Sequence, residues 1–75
     1  MDKRALVDEH LAQAERHVTD GEALVARQRE IVERLERGGH DTREAMTLLR
    51  QLEQAQALHI QERDRLLQER AELDA

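Results

Sequence analysis

The chain has 75 residues, a net charge of −5 and no Pro, Cys, Phe, Trp or Tyr. This length has room for one small domain, and the absence of Cys excludes disulfides and thiolate zinc sites. Interspersed charges with an acidic sum and no aromatic rings argue against a nucleic-acid partner. No stretch is apolar enough for a signal peptide or a membrane span, so we expect a cytoplasmic protein with no membrane partner.

The first predicted element is a helix over residues 4–37. Three rows of residues recur every seven positions: Leu11, Val18, Val25 and Val32; Val7, Ala14, Gly21, Gln28 and Leu35; and Leu6, His10, His17, Leu24 and Ile31. Together they form a face wider than the seam of a two-stranded coiled coil. Residues 1–3 are expected to fray, because no cap is evident before them. We interpret Gly21 as a point where another helix approaches the backbone.

A turn over residues 38–41 is predicted to end this helix and begin the next. The pair Gly38 and Gly39 suits the left-handed conformation that terminates helices. Asp41, followed three residues later by Glu44, predicts a capping box at the start of the second helix. His40 is interpreted as a solvated turn residue or as a cap for a carbonyl. So short a connection is typical of antiparallel helices, and the sequence therefore predicts an all-α helical hairpin over residues 1–75.

The second helix is predicted over residues 42–73, and helical spacing places Gln56, His59 and Arg63 on its apolar face. Two helices of this length bury one seam, whereas these faces are wide enough for two contacts. We therefore expect a homodimer that forms a four-helix bundle. The residues expected in its core or interface are Leu11, Val18, Gly21, Leu24, Val25, Ile31, Val32, Leu35, Leu48, Leu49, Leu52, His59, Ile60, Leu66 and Leu67.

The inferred register pairs residues whose numbers sum to about 79, which places Val32 beside Leu48. It also places His17 opposite Glu62 and near His59, and these three residues are the candidate ligands for a metal ion. However, the Glu-x-x-His spacing of carboxylate-bridged bundles is absent. The simpler interpretation is that the histidines hydrogen-bond to Glu or Gln across the interface, without a cofactor.

Two arginines on the inner face, Arg63 and Arg70, are interpreted as covering apolar surface while their heads reach Glu or Asp of the first helix or of a second subunit; a slot for an anion is the alternative. The chain has no Cys nucleophile and no carboxylate pair in an evident cleft. We therefore expect no enzymatic activity.

The segments AERHVTDGEALVARQREIVERLERGGHDTREA and LHIQERDRLL resemble a group of short alphaproteobacterial hypothetical proteins. These are helical hairpins with a Gly-His-Asp-Thr turn, which corresponds here to Gly39, His40, Asp41 and Thr42. The resemblance covers residues 12–68 and implies a small soluble bacterial protein, but no activity.

The sequence thus favours a non-enzymatic module for oligomerisation or protein interaction. Two alternatives stay open. One is a metal- or pH-responsive bundle that uses His17, His59 and Glu62. The other is an adaptor whose apolar seam binds a different helical protein.

Overall fold

A computed structural model describes residues 2–75 of the chain. Two helices, α1 (Lys3–Arg37) and α2 (Arg43–Asp74), pack against each other as a hairpin, which confirms the predicted all-α fold. The hairpin measures 55 × 16 × 13 Å and has a radius of gyration of 17.0 Å. A compact chain of this length would have a radius of gyration of about 11 Å. The molecule is therefore a rod that is two helices wide and has one internal seam.

The start of α1 is capped, and the prediction that residues 1–3 fray without a cap is wrong for the part that the structure describes. The carboxylate of Asp2 accepts a hydrogen bond of 2.7 Å from the backbone N–H of Ala5. This bond satisfies one of the donors that a helix leaves free in its first turn, so the helix begins at Lys3. Met1 lies outside the described residues.

The end of α1 is a Schellman motif built on Gly39, which has a φ of +70°. The N–H of His40 donates to the carbonyl of Leu35 at 2.9 Å, and the N–H of Gly39 donates to that of Glu36 at 3.1 Å. Both bonds satisfy carbonyls that the last turn of the helix leaves free. Gly38 has an ordinary right-handed φ of −83°. The left-handed position predicted for the glycine pair therefore belongs to Gly39.

The predicted capping box between Asp41 and Glu44 is wrong. Thr42 is the N-cap residue of α2, and its side chain makes no capping hydrogen bond. Asp41 lies one position too early for that role, and its carboxylate accepts bonds from the backbone N–H of Arg43 at 2.9 Å and from the Arg43 guanidinium. These hydrogen bonds hold the pKa of Asp41 below its usual range. Glu44 lies in the first turn, where its charge suits the helix dipole.

The seam of α1 consists of the first two rows predicted from the sequence. Eight of these nine residues are buried, and the ninth, Leu35, is half-buried. The α2 side of the seam also consists of two rows with a seven-residue repeat. The first contains the buried residues Leu49 and Gln56 followed by the half-buried Arg63 and Arg70, and the second contains the half-buried residues Ala45, Leu52 and His59 followed by the buried Leu66. The apolar contacts form two separate clusters. One contains Leu11, Ala14 and Leu66, and the other contains Val25, Val32 and Leu49.

One detail of the inferred register is wrong. Leu49 packs with Val32, the place that the register gave to Leu48, and Leu48 lies outside the seam with 45% of its surface exposed. The two leucines are adjacent in α2, so a rotation of the helix by one residue exchanges their positions.

Candidate functional site

A polar layer separates the two apolar clusters of the seam, and Gln56 is its buried centre. The side-chain amide of Gln56 donates a hydrogen bond of 2.8 Å to the backbone carbonyl of Val18, across the seam. Gly21 makes this possible, because a Cβ at that position would lie 1.8 Å from Oε1 of Gln56. The glycine is therefore a point of close approach, where α1 accommodates a polar side chain of α2.

His59 lies beside this glutamine and faces His17 of α1. Its Nδ1 is 3.3 Å from Oε1 of Gln56, and the centroids of the two imidazole rings are 5.5 Å apart at an interplanar angle of 42°. Because an amide oxygen only accepts hydrogen bonds, the contact with Gln56 requires a proton on Nδ1 of His59. In the neutral ring this leaves Nε2 as the unprotonated nitrogen.

The third candidate metal ligand, Glu62, is engaged elsewhere. Its carboxylate accepts hydrogen bonds from Nη2 of Arg65 at 2.6 Å and from Nε at 3.1 Å. These bonds, and to a lesser extent the charges of Arg65 and His10, lower the pKa of Glu62. Within residues 2–75 no three His, Cys, Asp or Glu side chains are placed to hold a metal ion. The structure thus brings His17 and His59 together, but it does not assemble the predicted three-ligand site.

A second glutamine crosses the seam in the opposite direction. The amide of Gln28, which is buried in α1, donates a hydrogen bond of 2.9 Å to the backbone carbonyl of Ala45 in α2. Each helix therefore contributes one buried glutamine that binds a carbonyl of the other helix. Their positions in the seam follow from the seven-residue spacing, but their acceptors do not, since helix carbonyls are already hydrogen-bonded within the helix. Gly21, which leaves room for the Gln56 amide, is the one feature of the sequence that points to a hydrogen bond across the seam at this level.

The inner arginines join ion pairs rather than form a slot for an anion. Arg70 lies 3.7 Å from the carboxylate of Asp8, which also contacts Arg4 at 3.3 Å, and Arg4 pairs with Asp74. This network links the first turns of α1 to the last turns of α2. Arg70 thus reaches a carboxylate of α1 as predicted, whereas Arg63 pairs at 3.0 Å with Asp64 of its own helix. Exposed pairs of this kind contribute about 0–1 kcal/mol each.

The largest feature that the seam leaves unexplained is a row of apolar residues along one flank. Leu24, Leu48 and Leu58 expose 53%, 45% and 64% of their surface, although Leu24 and Leu48 directly precede the buried residues Val25 and Leu49. We define the apolar side face as Leu24, Ile31, Leu48, Ala55 and Leu58, of which Ile31 and Ala55 are half-buried. It covers the half of the rod nearer the turn.

Comparison of the chain with protein families, with curated proteins and with solved structures gives no match. The resemblance to alphaproteobacterial hairpin proteins therefore stays a prediction. Within residues 2–75, neither helix has the length and apolar character needed to cross a membrane.

Proposed function

We propose that this hairpin is a non-enzymatic oligomerisation module, in which two copies associate as a four-helix bundle. The observation that supports this proposal is the apolar side face, which contains Leu58 and Leu24, the two most exposed of the large hydrophobic residues, and is covered by neither helix of the hairpin. Contiguous apolar surface outside the core typically marks a binding surface on a protein that is otherwise charged. A second copy of the chain presents an identical apolar side face on a rod of the same length.

The surface area of the hairpin supports the proposal. The chain exposes 5685 Å². A compact protein of this mass exposes about 4,700 Å², so the hairpin has an excess of about 1,000 Å². The usual share of each partner in a stable protein interface is about 800 Å². Packing one flank against a second hairpin would therefore bury an area comparable to this excess of exposed surface.

The weakness of the seam gives an energetic reason for association. Among residues 2–75 no side chain is less than 2% exposed, and the two apolar clusters are separated by the layer around Gln56. Ordering each residue costs about 1–2 kcal/mol of backbone entropy, which a small core offsets poorly. Burial of the apolar side face in a dimer adds the hydrophobic area that the isolated hairpin lacks.

Equilibrium sedimentation at micromolar concentration tests the proposal. We expect a mass of twice the 8.7 kDa of one chain. A particle of 8.7 kDa that keeps the full helicity of the hairpin would contradict the proposal and would favour an adaptor that binds a different helical protein.

A further inference from the structure

We infer that the apolar side face is the surface that a second copy of this chain covers, with the turns of both copies at the same end and α1 of each copy lying on α2 of the other. This assignment rests on the proposed function and specifies its interface and orientation. It follows from the order of side chains along the face, from the charges that flank it and from the area to be covered.

The face changes character along the rod. His17 and Glu62 lie together on this flank, where they line the same shallow groove. Steps of seven residues from this pair toward the turn place Leu24 level with Ala55 and Ile31 level with Leu48. The flank is therefore apolar near the turn and polar around His17 and Glu62, and it is apolar again at the end away from the turn, where Leu6 and Leu73 are 45% and 38% exposed.

This order of apolar and polar residues along the flank discriminates between the ways in which two rods can pair. With both turns at one end, the apolar half covers the apolar half and the whole 55 Å length is in contact. With the turns at opposite ends and full overlap, the leucines of each copy would lie against the histidines and glutamates of the other. Sliding the rods until only the apolar halves overlap would leave roughly half of each flank uncovered. The arrangement with the turns together buries the most apolar surface.

The apolar side face has an α1 edge and an α2 edge, which are the residues of each helix that border it. The charges on these edges favour one pairing of helices between the two copies. The α1 edge carries Arg16, Arg27 and Arg34 together with Glu9 and Asp20, which sums to one positive charge, whereas the α2 edge carries Glu44, Glu62, Glu69 and Glu72 together with Arg65, which sums to three negative charges. A two-fold axis parallel to the helices places each α1 edge on the α2 edge of the other copy. Arg34 then lies level with the partner's Glu44, and both side chains are exposed in the single hairpin.

The other two-fold arrangement is less favourable. An axis perpendicular to the helices stacks α1 on α1, and centring it on the apolar half brings Arg27 of the two copies together. Like charges in close proximity oppose association, whereas the parallel axis places the α1 edge, with its positive sum, on the α2 edge, with its negative sum. Charge and apolar burial therefore favour the same arrangement.

A spin-label distance tests the orientation directly. The chain has no Cys, so His40→Cys, an exposed position in the turn, introduces a single labelling site. With the turns together, the two labels should lie within roughly 20–30 Å, given a spacing of 8–10 Å between packed helices and the length of the labels. The slid arrangement predicts roughly 35 Å from the helical rise, and opposite turns predict about the 55 Å length of the rod. A dimer with a distance of 35 Å or more would overturn the orientation while leaving the proposed function intact.

Paired substitutions test the face itself. Leu24→Gln combined with Leu48→Gln should raise the dissociation constant of the dimer at least about a hundredfold, because four leucines per dimer lose their burial. Leu67→Gln is the matched control. The sequence placed Leu67 in the core or interface, but in the structure it is 37% exposed and lines the opposite flank with Glu15 and Glu22. This control substitution should change the constant less than about threefold.

The outcomes of the two tests are separable. If the wild-type chain is a monomer, the proposed function itself fails. If the chain is a dimer and Leu67→Gln weakens it as much as the paired substitution does, the face has been assigned to the wrong flank. Because Leu24 and Leu48 are about half exposed, the paired variant should keep its helicity at concentrations above its dissociation constant.

Discussion

The side-chain amide of Gln56 reaches across the seam and donates a hydrogen bond of 2.8 Å to the backbone carbonyl of Val18. A helix carbonyl has a second lone pair, so it can accept this bond without losing its own helical hydrogen bond. The bond links a fixed position of α2 to a fixed position of α1. Together with the bond from Gln28 to the Ala45 carbonyl, it opposes sliding of one helix along the other. Polar residues in an apolar seam commonly serve to specify register.

A first prediction concerns the space that Gly21 provides. In Gly21→Ala the new Cβ displaces the Gln56 amide and leaves buried polar atoms unpaired, which costs about 1–3 kcal/mol. Ala gains about 1 kcal/mol as a better helix former, so the free energy of unfolding should fall by a net amount of up to about 2 kcal/mol. Urea denaturation of the variant measures the difference.

The control for this prediction is the same Gly21→Ala substitution in a chain that already carries Gln56→Ala. Once the amide is gone, Gly21→Ala should become stabilising, by up to about 1 kcal/mol. A change of sign between the two backgrounds is thus expected. If Gly21→Ala stabilises the wild-type chain as well, the close approach of Gln56 to the glycine does not constrain the fold.

A second prediction separates the two glycines of the turn. Gly39→Ala should lower the free energy of unfolding by about 1–2 kcal/mol, since the φ of +70° brings a Cβ close to the backbone. Gly38→Ala should cost less, because its φ of −83° suits any residue and the new Cβ would meet only the exposed His40 ring, 2.7 Å away. Thermal melts rank the two variants. A larger loss for Gly38→Ala would show that the His40 ring, rather than backbone conformation, governs the turn.

A third prediction concerns the carboxyl group of Glu62. Hydrogen bonds from Arg65 lower the pKa of Glu62, so Arg65→Gln should raise that pKa toward the ordinary glutamate value. A carboxyl group whose pKa is lower in the folded protein stabilises the fold above its unfolded pKa, about 4.3. This contribution is lost as the pH falls through the lower folded value. NMR titration of the carboxyl carbon measures the shift, with Arg50→Gln as the control that should leave it unchanged. An unchanged pKa in Arg65→Gln would contradict the assigned cause.

A fourth prediction concerns His59, which is half-buried beside Gln56 and His17. His59→Leu should preserve or raise the melting midpoint, because its hydrogen bond of 3.3 Å is long and a leucine fills the position with apolar surface. His59→Ala should lower stability, on the order of 1 kcal/mol, by leaving a gap in the seam. Added zinc should not shift the midpoint of the wild-type chain. A zinc-dependent rise that disappears in His59→Leu would instead support the metal-responsive alternative.

The sequence predicted the α1 side of the seam well and the α2 side less well, for a physical reason. Two rows with a seven-residue repeat cover nine positions of α1, so together they fix the phase of the helix although Leu24 and Ile31 each directly precede a seam residue. In α2, Leu48 and Leu49 are adjacent, and either can face the partner helix after a small rotation. Only the packed structure shows that Leu49 is buried and Leu48 is exposed.

The helix caps were harder to predict than the helices. Asp41 and Thr42 are adjacent residues that can both cap, and the choice between them depends on the guanidinium of Arg43, which draws the Asp41 carboxylate toward itself. Asp2 was missed because Lys3, Arg4 and Ala5 follow it without the Glu or Gln that marks a capping box. In the polar layer, the positions of Gln56 and His59 were predictable from spacing, but the carbonyl acceptor of Gln56 was not.

The concentration dependence of thermal unfolding tests most directly whether this hairpin folds as a dimer. If two chains unfold and separate in one step, the melting midpoint followed by circular dichroism must rise with protein concentration. With an unfolding enthalpy of about 0.7 kcal/mol per residue over two chains, a hundredfold increase in concentration should raise the midpoint by roughly 10 °C. A midpoint that stays constant over the same range, with a sedimenting mass of 8.7 kDa, would contradict the proposed four-helix bundle.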